Sequence, residues 1–241
     1  NLGSLIKLHM DTFYSAEDLV KEFDLEGKLE TQATYGNLQL GDEGSKRFIQ
    51  TGFRFYEIDG ERFATILSRD QDGDQRIVFI TKEEGRGLQL LDELEEDFYT
   101  NGPLNGAFFD MSYNFMKRSD MVDELLAWNP AIRQQLKKDV LDFLRLMPIL
   151  GERGLPNSRG IILSGAPGTG KTMYAKSLAA ESETTTILIS AEMIQQRHDV
   201  KAAFKLARRL SPTLVIIEDI DTAGTVSRKF TDHPILGEYL Q

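Results

Sequence analysis

Gly165-Ala166-Pro167-Gly168-Thr169-Gly170-Lys171-Thr172 is the stretch on which the reading of this chain turns. It matches G-x-x-x-x-G-K-[ST] at every specified position. An apolar run, Ile161-Ile162-Leu163, leads into it and predicts a strand; the residues from Met173 to Ala180 suit a helix. Strand, glycine-rich turn and helix start, in that order, make an anion cradle. Glycines let backbone N–H groups converge on phosphate oxygens, and the helix dipole adds partial positive charge there. In such a loop Lys171 neutralises the β- and γ-phosphates, and the Thr172 hydroxyl holds Mg²⁺. The expected contacts of a bound nucleotide are Gly165, Ala166, Pro167, Gly168, Thr169, Gly170, Lys171, Thr172 and Met173.

A phosphate cradle needs carboxylates nearby to organise the metal and the attacking water. Pro212-Thr213-Leu214-Val215-Ile216-Ile217-Glu218-Asp219-Ile220-Asp221 supplies them. Four consecutive large apolar residues predict a parallel strand buried on both faces. Acids then follow at the C-terminal edge, where open α/β sheets bind ligands. Order along the strand assigns Glu218 to the metal and Asp219 to the water. The candidate catalytic residues are therefore Lys171, Glu218 and Asp219, and the candidate metal residues Thr172, Glu218 and Asp219.

Around these two motifs, the strand Thr185–Ile189 and the basic helix Val200–Leu210 complete a βαβαβ pattern, which favours a parallel sheet. Upstream, Ile132, Leu136, Val140, Phe143, Leu144 and Met147 recur at helical spacing until Pro148. Arg208 and Arg209 read as solvated charges near a helix C-terminus.

Residues 1–115 carry no chemical motif of comparable strength. Thr12 to Phe23 fits a short helix with Leu19, Val20 and Phe23 as its apolar stripe. Three strands follow, near 51–58, 61–67 and 76–80, joined by Asp59-Gly60 and Asp72-Gly73 turns. A helix from Leu88 to Tyr99, with Leu91, Leu94 and Phe98 turned inward, ends at Asn101-Gly102-Pro103. This is a small α+β domain, and residues 111–120 read as the linker to a second domain over 121–241. Asp70, Asp72 and Asp74 mimic the opening of a calcium loop. However, glycine stands at the fourth position of that loop and Thr81 at the twelfth, so a hairpin turn is the better reading. The three histidines, His9, His198 and His233, are too dispersed for a metal site.

Composition excludes several classes. The 241 residues are 41% hydrophobic and 27% charged, which suits soluble globular domains, and no apolar run is long enough to span a bilayer. Cysteine is absent, which removes disulfides and thiolate chemistry and agrees with a cytoplasmic location. Residues 1–120 hold 13 basic and 24 acidic side chains, a net of −11, and residues 121–241 a net of +1. An acidic N-terminal half repels phosphate backbones and argues against a nucleic-acid partner; it offers a solubilising surface or a face for a basic protein.

The region from Ile132 to Gln241 resembles an AAA-family ATPase module. The resemblance rests on Gly154-Leu155-Pro156, Arg159-Gly160-Ile161-Ile162-Leu163, the GAPGTGKT loop, Ala202-Ala203-Phe204-Lys205-Leu206-Ala207-Arg208, Ser211-Pro212 and the acidic strand. The Glu218-Asp219 order, reversed from the usual Asp-Glu, is similar to the subgroup of the mitochondrial AAA translocase that handles the Rieske iron–sulfur protein. The resemblance implies an α/β fold: a P-loop parallel sheet flanked by helices, as a partial AAA module, preceded by the small α+β domain. It also implies ATP hydrolysis with Mg²⁺, assembly into a hexameric ring, and mechanical work on a protein client or adaptor held by the N-terminal domain. Many protein-threading rings of this family carry an aromatic–aliphatic–glycine pore loop, whereas Glu192 to Asp199 runs to the next helix without one. The sequence reads as an excerpt of a longer protein, with the sensor, arginine-finger and lid positions expected beyond Gln241 and little turnover by the excerpt alone. Two other functions compete with the motor: an ATP-gated scaffold with little turnover, and a DNA-associated AAA+ protein.

Overall fold

The computed structural model describes residues 1–15, 19–23, 33–70, 73–118, 128–190, 193 and 197–218. It divides into two units, Asn1–Asn105 and Gly106–Gln241.

The first unit is an antiparallel sheet with two helices. Helix α1 (Leu2–Phe13) starts at Asn1, whose side chain accepts from the Gly3 N–H at 2.9 Å. Strands β1 (Leu19–Phe23), β2 (Thr34–Gln39), β3 (Ser45–Ile58), β4 (Glu61–Arg69) and β5 (Gln75–Ile80) follow, then helix α2 (Arg86–Asn101). The strand order is β1-β3-β4-β5, and β2 pairs with the first half of the long strand β3. Asp59 (φ 51°) and Gly60 (φ 81°) both take positive φ, as a two-residue hairpin turn requires, so that dipeptide sets the β3–β4 register. The core joins Met10 and Tyr14 to Ile49, Tyr56, Phe63 and Leu67 of the sheet and to Leu90 and Leu94 of α2.

Two local expectations fail here. The helix predicted over Thr12–Phe23 is instead the end of α1 and strand β1, because Leu19 pairs with Tyr56 across the sheet. Nonlocal pairing outweighs a weak local period. In α2, Leu90 is buried with Leu94 and Phe98, while Leu91 is exposed. The Asp70 turn is a hairpin turn: the Asp70 carboxylate accepts from the Asp74 N–H at 2.8 Å and pairs with Arg76 at 3.0 Å. Asp72 lies outside the described residues. His9 is buried against Asp97 (2.8 Å) and Phe98.

The second unit is a parallel sheet flanked by helices. Its strands β6 (Phe108–Asp110), β7 (Thr185–Ser190) and β8 (Thr213–Glu218) run in the order β6-β7-β8. Helices α3 (Pro130–Lys137) and α4 (Phe143–Glu152) are joined by one π-helical stretch, Lys138–Asp142; α5 (Lys171–Ser182) and α6 (Arg197–Arg209) connect the strands. Ala175 and Ala179 of α5 pack on Phe108, Leu188, Leu214 and Ile216. Small residues on the helix let it approach this sheet face closely.

The boundary expected near residue 115 falls at Asn105/Gly106 instead. Phe108–Asp110 pairs with Thr186–Leu188, and the Thr186 N–H donates to Ala107 O at 2.8 Å. Arg118 of the expected linker donates to the carbonyls of Gly106, Ala179 and Thr184. A three-residue strand is too short to show a period in the sequence. The last two residues of that linker, 119 and 120, lie outside the described residues, as do residues 121–127 of the expected second domain.

Three more expectations change in this unit. Pro148 lies inside α4 and does not end it. The stop is Gly154 (φ 66°), where the Leu155 and Gly154 N–H groups close back on the carbonyls of Leu150 and Gly151. Ile161–Leu163 is not a strand; Ile162 is 86% exposed and no described strand lies beside it to supply partners. Strand β8 is half-buried, with Ile216 alone reaching the core, because it is an edge of the described sheet. Arg208 and Arg209 are exposed on α6, whose opposite face buries Val200, Ala203, Leu206 and Ala207. Among the described residues no helix is long and apolar enough to cross a membrane.

Candidate nucleotide-binding site

The loop Gly165–Gly170 turns the chain into the start of α5. Gly165 (φ 154°), Gly168 (φ 75°) and Gly170 (φ 82°) take backbone conformations that side chains resist. A Cβ on Gly168 would meet nothing within 4 Å, so the constraint there is conformational, not steric crowding. Two side chains brace the turn from within. The Thr169 hydroxyl donates to Ala166 O at 2.9 Å, and the Lys171 ammonium donates to Gly165 O and Ala166 O, both at 2.9 Å.

The first helical hydrogen bond of α5 runs from the Tyr174 N–H to Gly170 O at 2.9 Å. The helix therefore makes no use of the N–H groups of Lys171, Thr172 and Met173, and no side chain caps its start. Thr172 and Met173 are exposed. Three amides that the helix leaves unused, the positive end of a helix and one lysine in a solvent-open turn fit a polyphosphate.

Glu218 ends β8 on the sheet face that α5 covers, two residues beyond Ile216 and four beyond Leu214. There it meets Lys176 at 3.0 Å, with the two side chains 15% and 24% exposed. Thr172 lies one turn before Lys176 on the same face of α5, roughly 6 Å along the helix. The fold thus brings Lys171, Thr172 and Glu218 to one end of the α5–β8 layer. Asp219 and Asp221 lie outside the described residues, as do Glu192 and residues 194–196 of the Glu192–Asp199 segment.

The donor set suits Mg²⁺ held jointly with a nucleotide. Magnesium keeps several waters and binds through one or two carboxylates plus phosphate oxygens. An exposed threonine hydroxyl and a carboxylate at a strand end provide that, and no cage of protein ligands is needed. Among the described residues no group of three or more His, Cys, Asp or Glu could hold a metal alone.

Three residues at this end escaped the sequence reading. Tyr174 is fully buried and its hydroxyl donates to Arg133 O at 2.9 Å, tying α5 to α3. Trp128 packs on Tyr174 and reaches the loop itself. Lys176 holds Glu218. Only Lys176 left a signal, since its place four residues after Thr172 puts both on one helical face. Trp128 and Thr169 are 41 residues apart, and no local pattern links them.

A glycine-rich turn feeding a helix, beside a parallel strand that ends in a carboxylate, defines a phosphate-binding α/β unit. Comparison with known proteins narrows the class. The family model described as "ATPase family associated with various cellular activities (AAA)" matches residues 161–234, within the C-terminal unit. Spastin of Gallus gallus is 34% identical over 118 residues, covering 42% of this chain and 19% of that protein. A proteasome-activating nucleotidase of Sulfurisphaera tokodaii is 40% identical over 79 residues, covering 30% and 20%. Protein SAV of Sulfolobus acidocaldarius is 32% identical over 107 residues, covering 42% and 14%. The chain therefore spans a fifth or less of the length of these relatives.

Proposed function

We propose that this chain binds and hydrolyses ATP with Mg²⁺ as the nucleotide-binding part of an AAA-type ATPase that remodels or translocates proteins. The observation that carries this reading is the set of three N–H groups, Lys171 to Met173, left free by α5 beside the Lys171 ammonium. Lys171 would exchange the loop carbonyls it now holds for phosphate oxygens, at little cost, because both are oxygen acceptors. Gly165 to Met173 cradle the phosphates, while Thr172 and Glu218 hold the metal. Mg²⁺ bound with the nucleotide neutralises charge that develops on the transferred phosphoryl group. Asp219, next in sequence after Glu218, orients the attacking water. Nothing in this scheme needs a covalent intermediate; stabilisation is electrostatic.

The assembly belongs to the same proposal: a ring, hexameric as is usual for the family, with the N-terminal unit positioning a client or adaptor in the cytoplasm. The Glu218-Asp219 order keeps the likeness to the Rieske-protein translocase subgroup as the finer assignment. The acidic N-terminal half disfavours a nucleic-acid partner.

A second reading has one observation in its favour. Lys176 already places a cation against Glu218, as a metal would. In an ATP-gated scaffold with little turnover, that pair would persist in the nucleotide complex. Phosphate release by the full-length protein separates the two. Turnover that is lost in Lys171→Ala and in Asp219→Asn, with ATP still bound by Asp219→Asn, supports the motor. Tight ATP binding without phosphate release supports the scaffold.

A further inference from the structure

The geometry points to Trp128 as a positioning residue for the phosphate loop, a role that rests on the nucleotide-binding reading above. Its indole Nε1–H donates to Thr169 O at 2.6 Å, and its ring lies on Tyr174 with centroids 4.6 Å apart and planes at 30°. Tyr174 is itself fixed: it is fully buried, sits in the first turn of α5, and its hydroxyl donates to Arg133 O. The next residue along from Trp128, Asn129, caps α3 by accepting from the Ala131 N–H at 2.9 Å, with Pro130 opening the helix. Trp128 is therefore held by the Tyr174 ring and by the capped helix that follows it in the chain. Its one polar atom is spent on the phosphate loop.

The consequence follows from peptide planarity. The Thr169 carbonyl and the Gly170 N–H belong to one trans peptide, so they point in opposite directions. Holding the carbonyl on the indole side turns the Gly170 N–H to the other side of the loop. Gly170 is the residue whose left-handed backbone (φ 82°) delivers the chain into α5, and glycine alone resists rotation there only weakly. Without the indole bond this peptide could flip between two faces; with it, one donor is aimed before a phosphate arrives. Lys171 and Thr169 brace the Gly165–Ala166 side of the turn, and neither touches the 169–170 peptide from outside. Trp128 supplies that missing brace from a segment remote in sequence. Preorganised donors bind an anion without paying to order themselves, so the bond acts on affinity for the phosphate chain and is indifferent to the base.

The test uses the full-length protein, fluorescent analogues of ATP and GTP, and thermal melting without nucleotide. Trp128→Phe keeps a ring against Tyr174 and removes the N–H donor. It is expected to weaken ATP and GTP binding by the same factor, roughly threefold to tenfold, with the melting temperature unchanged. Unchanged affinity for both nucleotides overturns the proposal. So does a loss confined to one base, which would make Trp128 a base-stacking residue, or a loss accompanied by a lower melting temperature, which would make it a packing residue. Lys171→Ala in the same assay guards the underlying reading: if it binds both analogues as tightly as the native protein, the loop is not a phosphate site at all.

Discussion

Lys176 and Glu218 join α5 to β8 through an ion pair of 3.0 Å at the edge of the sheet, where both side chains are mostly shielded from water. A lysine in that place competes with any divalent cation for the same carboxylate. If Glu218 holds Mg²⁺, then Lys176→Met should lower the Mg²⁺ concentration needed for half-maximal ATP binding by roughly tenfold, equivalent to about 1.4 kcal/mol. A magnesium titration of nucleotide binding reads this directly. An unchanged or higher requirement would assign Glu218 to holding the helix on the strand.

Lys171 has no substitute among the described residues of the loop. Replacing it with methionine keeps the aliphatic stem and removes the only ammonium at the turn, so ATP affinity should fall by at least tenfold. The fold should survive, because among the described residues Lys171 bonds only to two carbonyls of an exposed loop. Equilibrium binding alongside a melting curve checks both halves of this expectation.

Lys7 contributes to the pH response of the N-terminal unit. It is fully buried, and its three ammonium protons go to Gln50 O (2.6 Å), Ser68 O (2.8 Å) and Gln75 Oε1 (2.7 Å). Burial pushes its pKa from 10.5 down to about 8, with Arg69 adding to the shift. The unfolded chain thus binds more protons between about pH 8 and 10.5, and the contribution of Lys7 to stability rises with pH across that window. Urea unfolding at stepped pH should show this slope in the native protein and lose it in Lys7→Met. The variant should also be about 1–3 kcal/mol less stable at pH 7, since three acceptors lose their donor. A native protein whose stability falls over the same window would contradict the assignment.

Gly102 is fixed by sterics. It follows α2 with its N–H on Phe98 O at 3.0 Å, and an added Cβ would stand 2.2 Å from that same oxygen. Gly102→Ala should cost the N-terminal unit about 1–3 kcal/mol, visible as a lower melting temperature. No change would mean that the end of α2 unwinds freely.

The Gly165–Gly170 turn was legible because its geometry is local. Gly165, Gly168 and Gly170 answer to backbone angles set within six residues, and Lys171 to the helix that starts beside it. The Asp59-Gly60 hairpin was legible for the same reason. Strand β6 was not, since Phe108–Asp110 is a strand only through its pairing with β7. Nor was β1, which takes its conformation from β3, nor the failure of Ile161–Leu163 to pair. Proline proved a poor stop signal at Pro148, where the neighbouring turns carry the helix through to the Gly154 cap.

Sequence by itself determined the Gly165–Gly170 turn, the carboxylate at the end of β8 and the parallel βα pattern between them, because each depends on residues adjacent along the chain. Tertiary structure alone decided that Trp128 reaches Thr169, that Lys176 meets Glu218, and that Phe108–Asp110 joins the second unit. Those contacts bring together residues tens of positions apart, and their partners are chosen by which faces of strand and helix the packed core leaves pointing at each other.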